Sequence, residues 1–207
     1  MTQVEALAKI EALGQPFLET KDIAALLGVA HSNANKIVTR LARVGLIVPL
    51  MRGKWALRNV DKLSVAEHLT APYPAYISLQ SALYYHGMIS QIPAVIYAVS
   101  LARTRRYMTK LGAYSIHHVD PDFFFGYELD QAGNEKIAVP EKALLDVFYL
   151  GPTKTRFFVA LPEIEFARGF SWPKTFEMAK KIKGRTRRVF VERALSALRR
   201  STRRTSH

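Results

Sequence analysis

The chain has 207 residues and a formal net charge of +13, from 30 Lys and Arg against 17 Asp and Glu. With 49% apolar and 23% charged residues it has the make-up of a globular protein able to bury a core, which argues against general disorder. The absence of cysteine excludes a disulfide framework, cysteine-ligated zinc, iron–sulfur clusters and thiol catalysis.

Val4, Leu7, Ala8, Ile10 and Leu13 recur at helical spacing, and Gly14 with Pro16 marks the end of that first helix. Thr20 is the expected N-cap of a second, short helix carrying Ile23, Ala24, Leu26 and Leu27 and stopped by Gly28. A third helix opens at His31 or Ser32, turns Ile37, Val38, Leu41 and Val44 inward, and closes at Gly45. Leu46–Leu50 and Trp55–Leu57 read as a hairpin whose tip is Met51, Arg52, Gly53 and Lys54. Residues 59–75 form a connector with a short helix, Val65–Leu69, and its Ala71-Pro72-Tyr73-Pro74 run marks a boundary. This gives a domain at 1–58, the connector, and a second domain at 76–207.

In the second domain, Ser78 is the expected cap of a helix over Leu79–His86, ended by Gly87. Ala94–Ser100, Ala113–Val119, Phe123–Tyr127 and Glu135–Val139 read as strands, with a turn at 131–134. Pro140 begins a helix ended by Gly151-Pro152, and two further helices cover Trp172–Ile182 and Arg187–Arg200. The expected fold class is α+β: an N-terminal winged helix-turn-helix, then an α+β domain with a small, mostly antiparallel sheet.

The charge is unevenly spread. Eleven basic residues and one acid, Glu192, lie from Lys180 onward, so that end carries +10 and the first 179 residues only +3. It is either a solvated basic tail or an arm that lies on phosphates. Val189, Phe190, Ala194, Leu195 and Leu198 form an apolar stripe within it, expected to dock on the protein body. The start of the chain lacks a leader's basic-then-apolar pattern, and no apolar run reaches the ~18 residues of a membrane span. The expectation is a cytoplasmic protein with no membrane partner.

A glycine turn between two short helices holds the second one proud, ready for a major groove. His31, Ser32, Asn33, Asn35, Lys36, Thr39 and Arg40 lie on its N-terminal half or outer face. Asn suits adenine, Lys or Arg suits guanine, and Ser32 suits a phosphate. Arg52 and Lys54 at the hairpin tip would lie over a flanking phosphate or minor groove. The expected partner is double-stranded DNA. Arg103, Arg105 and Arg106, with Arg185, Arg187 and Arg188, are a possible second basic patch or merely solvated.

Two segments resemble the AbiEi family, antitoxins and transcriptional repressors of type IV, abortive-infection toxin–antitoxin systems. One is YISLQSALYYHG, with Ser78, Ser81, Ala82, Leu83, His86 and Gly87; the other is PEKALLD, from Pro140 to Asp146. The resemblance extends over nearly the whole chain. It implies a protein that binds inverted repeats in its own promoter, represses its operon and counteracts a nucleotidyltransferase-like toxin. It leaves direct contact with that toxin open, and one copy on each half-site implies a monomer or weak dimer that pairs on DNA. The residues themselves read blandly: His86 as a helix C-terminal histidine, Glu141 as a first-turn carboxylate, and Lys142 with Asp146 as a surface pair of small value.

Other chemistries fit less well. His117, His118, Asp120 and Asp122 are close in sequence, but adjacent strand histidines face opposite ways and Asp-Pro-Asp is turn chemistry. Pro121-Asp122 followed by Glu128-Leu129-Asp130 lacks the lysine a metal-dependent nuclease needs. No phosphate loop or nucleophile elbow is present. The expectation is a protein that is not an enzyme and holds no cofactor or metal. The alternatives are an interaction module that sequesters a toxin and, behind it, a nuclease.

Overall fold

The computed structural model describes residues 2–131, 133–151 and 163–205. The order is α1 (Gln3–Glu11), β1 (Phe17–Glu19), α2 (Thr20–Leu27), α3 (His31–Arg43), β2 (Ile47–Met51), β3 (Lys54–Leu57), α4 (Val65–Thr70), β4 (Ala75–Ile77), α5 (Leu79–Tyr85), β5 (Val95–Ser100), β6 (Arg105–Thr109), β7 (Gly112–His118), a 3-10 turn (Pro121–Phe123), β8 (Tyr127–Leu129), β9 (Lys136–Ala138), α6 (Pro140–Leu150), α7 (Trp172–Lys180) and α8 (Arg185–Thr205). The fold is mixed α+β, with a three-stranded antiparallel sheet, β1-β3-β2, and a six-stranded mixed sheet, β6-β7-β5-β4-β9-β8.

The small sheet packs against α1–α3. Ile10, Ile23, Val38, Leu41 and Trp55 form that core. A Thr2–Glu5 capping box starts α1, and Gly28, at φ 64°, ends α2 in a conformation that glycine adopts without a Cβ penalty. Successive strand residues face opposite ways, so Ala56 beside Trp55, and Leu50 on β2, enter the larger core instead. The small sheet is therefore apolar on both faces and seats the first sixty residues on the rest of the chain. The connecting α4 is packed too, with Val65, Ala66 and Leu69 buried.

Several sequence expectations need correction. The sheet of the second unit is larger than expected and mixed: three of its strand pairs are antiparallel, but β4–β9 and β5–β7 are parallel. Phe123–Tyr127 is no strand; it begins as the 3-10 turn, and only Tyr127 joins β8. β1 and β6 were not expected. Thr20 is the first residue of α2 rather than its cap, and Val44 is 58% exposed rather than inward. In α8, Val191 and Leu195 are buried while Phe190 is half exposed, so the docking stripe is rotated from the expected one. The Gly151-Pro152 stop is described only as far as Gly151.

The largest correction concerns Lys142 and Asp146. They are not on the surface: both side chains are fully buried and joined as an ion pair one turn apart on α6. Asp146 Oδ2 accepts from Ser78 Oγ at 2.7 Å and from Tyr76 OH at 3.0 Å. Lys142 Nζ also donates to Tyr76 OH at 2.9 Å and lies 3.9 Å from the Phe123 ring centroid and 4.9 Å from that of Phe125. Burial pushes the Lys142 ammonium down from its ordinary range and the Tyr76 phenol well up. Gly126 closes the cage at φ 76°, where a Cβ would sit 3.0 Å from Lys142 Cγ. Stranding one charge, by Lys142→Ala or Asp146→Ala, is expected to cost about 3–5 kcal/mol. Lys142→Met with Asp146→Leu should recover most of it in a thermal melt. A surface pair would lose less than about 1 kcal/mol in either single variant.

Candidate nucleic-acid interface

α3 has 13 residues and no acid. Ala34, Val38 and Leu41 are buried, which fixes its rotation. Ser32, Lys36, Arg40 and Arg43 then fall on the opposite face at spacings of four, four and three, and all four are exposed. His31, Asn33 and Asn35 are exposed on its flanks. Thr39 differs: its hydroxyl donates to Asn35 O at 2.7 Å, so it is committed within the helix. Arg43 is the addition. Its distance of seven residues from Lys36 places it on the same helix stripe, a signal present in the sequence.

The hairpin tip is held down. Gly53, at φ 75°, makes the turn, and its carbonyl accepts from Thr20 N at 2.9 Å and Thr20 Oγ1 at 3.4 Å. Trp55 Nε1 donates to the same Thr20 hydroxyl at 3.0 Å. Thr20 thus ties the first residue of α2 to the hairpin, which is why its side chain caps nothing. Of the two tip residues, Arg52 is exposed, whereas Lys54 Nζ donates to His68 O at 3.2 Å.

The six arginines of the second expected patch divide between two places. Arg103, Arg105 and Arg106 are exposed at and before the edge strand β6, which packs beside β2. The Arg105 guanidinium lies 5.1 Å from the Tyr107 ring centroid. Arg185, Arg187 and Arg188 open α8, which packs on α6 and α7. Arg187 lies 5.5 Å from the Tyr149 ring centroid, and only Arg185 of the three is fully exposed.

Several of the remaining chemical candidates have structural partners. His117 Nε2 lies 3.0 Å from Ser115 Oγ, while His118 Nδ1 lies 3.2 Å from the carbonyls of Leu101 and Ala102. Asp122 pairs with Lys183, and Glu128 is exposed on β8. The polar residues of the two family-like segments turn inward: Ser78 to Asp146, Ser81 Oγ accepting from Tyr97 N at 2.9 Å, and His86 Nε2 at 2.7 Å from Ala138 O. Glu141 accepts from Ser171 N at 2.9 Å. No helix among the described residues is long and apolar enough to cross a membrane.

A cleft of about 530 Å³ lies between β1, α4 and the turn before β9. His68 stacks on Phe17 at 4.3 Å, and burial, with Lys54 nearby, lowers its pKa to about 4. Burial, with Asp61, Asp130 and Glu67 adding repulsion, raises Glu135 to about 7. The signs are opposite. Between pH 6.5 and 4 the unfolded chain protonates His68 first, so stability falls on acidification. Between 4.5 and 7 the folded chain holds the Glu135 proton, so stability falls as pH rises. Each contribution is on the order of 1–2 kcal/mol after solvent screening. Where the two windows overlap the slopes oppose each other, so in denaturation followed by pH the stability of His68→Gln should fall as pH rises, and that of Glu135→Gln should fall on acidification, each more steeply than in the parent chain. No protein-family model and no curated protein matches this sequence, so the interface is read from its own residues.

Proposed function

We propose that the chain is a sequence-specific DNA-binding repressor in which α1–α3 and the β2–β3 hairpin act as a winged helix-turn-helix. The observation that carries this reading is the acid-free outer face of α3, with Ser32, Lys36, Arg40 and Arg43 in line opposite its buried side. In the major groove, Lys36, Arg40 and the flanking Asn33 and Asn35 have the donors and acceptors to read base edges, while Ser32 and Arg43 suit phosphates. Arg52 at the pinned tip meets the adjacent backbone. Lys54 stays with the His68 carbonyl and contributes little.

In the same proposal the rest of the chain is an antitoxin unit that counteracts a nucleotidyltransferase-like toxin encoded beside it. The support is the resemblance of the segments around Ser78 and Pro140–Asp146 to the AbiEi family. The inward orientation of their polar residues favours a scaffolding role for these positions over catalysis.

The test is titration of the chain's own upstream DNA and a scrambled duplex at two salt concentrations. Lys36→Ala or Arg40→Ala should lose about 1–3 kcal/mol on the specific duplex and much less on the scrambled one. Arg52→Ala should weaken both alike and reduce the salt slope by about one. Because Val191 and Leu195 are buried, the basic end is tested with Arg185→Ala and Arg200→Ala rather than by truncation. Equal losses on both duplexes from every variant would overturn the assignment of α3. Co-expression with the neighbouring gene, with and without growth rescue, tests the antitoxin half separately.

A further inference from the structure

Three carboxylates are buried among the described residues: Glu135, Glu141 and Asp146. Two of them have a cation. Asp146 pairs with Lys142, and Glu141 with Lys174. Glu135, only 7% exposed, pairs with none among the described residues, in a chain that has 30 Lys and Arg. Its neighbour Lys136 is taken by Glu67. Ser64 lies beside it, but that hydroxyl has one proton and donates it to Asp61 O at 2.7 Å. A buried carboxylate left this way is costly unless something cationic meets it. Glu135 lines the cleft of about 530 Å³ described above, with Asp61 and Glu67 and with no Lys or Arg, so the sign of the cleft is opposite to that of the chain. The same lining offers apolar surface on Phe17, Val60 and Ala71. His68, stacked on Phe17 and kept neutral by burial, adds a ring that does not repel a cation.

We propose that this cleft binds a small organic ammonium ion, its charged end against Glu135 and its apolar body along Phe17 and Val60. The volume is that of a small-molecule site and far more than a bare metal ion fills. No group of three or more His, Asp or Glu among the described residues is placed to hold a metal ion. Asp61, Asp130 and Glu67 surround Glu135 with like charge, while the nearby cations are committed elsewhere, Lys136 to Glu67 and Lys54 to the His68 carbonyl. Glu135 therefore holds its proton up to about 7. A ligand ammonium replaces that proton: its N–H donates to the carboxylate, and the Glu135 proton passes to solvent. A bound ligand joins β1 of the small sheet to the turn before β9. None of the lining residues lies on α3 or at the hairpin tip, so the site does not depend on the DNA reading.

The experiment is isothermal titration calorimetry of the full chain, without DNA, with phenethylamine and pentylamine up to millimolar concentration. Phenethyl alcohol, the uncharged counterpart, is the control. The expected result is saturable binding of the amines and none of the alcohol. Binding should tighten several-fold between about pH 6 and about pH 8, as Glu135 gives up its proton more readily. At neutral pH the heat should depend on the ionisation enthalpy of the buffer, because a proton is released on binding. Glu135→Gln should weaken binding at least about tenfold and abolish both the pH dependence and the proton release. Its amide is close in size to the carboxyl, and circular dichroism checks that the fold is kept; the proton release of the parent chain is read without any variant. Amines that do not bind overturn the proposal. So does an alcohol that binds as well as the amines, binding with no proton release, or a folded Glu135→Gln that binds like the parent.

Discussion

The fold of the larger unit depends on the buried contact between Lys142 and Asp146. An ion pair with no access to water is costly to desolvate, and it persists only where every remaining donor and acceptor is met. Here Tyr76 and Ser78 supply the missing hydrogen bonds from β4 and the start of α5, and the rings of Phe123 and Phe125 supply a face for the ammonium. One helix, one strand, the start of another helix and the 3-10 turn must therefore converge together. A pair of apolar side chains would fill the same volume without demanding that Tyr76 and Ser78 be in register. The backbone bears a local cost beside this contact. Leu79, next to Ser78, is the non-glycine residue with positive φ among the described residues.

That convergence explains how a strongly basic chain still buries a large core. Lys142 apart, the basic side chains described above are kept to the periphery, on the outer face of α3, the edge strand β6 and the exposed side of α8, while the layers between them are almost wholly apolar. The small sheet is the seam. Leu50 and Ala56 belong to the larger core, and Trp55 to the smaller one, so the two apolar clusters share a single three-stranded sheet as a wall. In the proposed reading, this wall sets the angle at which α3 is presented relative to the Arg105 and Arg106 edge.

Local structure was legible wherever backbone chemistry punctuates it. Gly28 and Gly53 sit where positive φ is needed, and Pro140 sits in the first turn of α6. The outer face of α3 was legible because its buried face has helical period. The mixed order of the large sheet was not, because parallel pairing of β5 with β7 depends on partners outside any local window. Lys142 and Asp146 were misread for a related reason. Spacing of four gives an ion pair whether the face is wet or dry, and only the aromatic residues brought in from the 3-10 turn decide which. β6 escaped notice because an exposed edge strand, Arg-Arg-Tyr-Met-Thr, has no apolar alternation to display. Thr20 was read as a cap because its residue type suits one, whereas its partners, Gly53 and Trp55, are more than thirty residues away.

The Thr20 clamp has a consequence for evolution as much as for binding. Hairpins that sway in the free protein lose that freedom when they settle on a ligand, and their affinity can be tuned simply by stiffening them. In this chain the hairpin tip is bonded through backbone and hydroxyl to the residue that begins α2, and α2 packs on α3. The distance from Arg52 to the face of α3 is thus a property of the fold. A chain built this way can change which chemical groups it offers, one side chain at a time, far more readily than it can change the spacing at which it offers them.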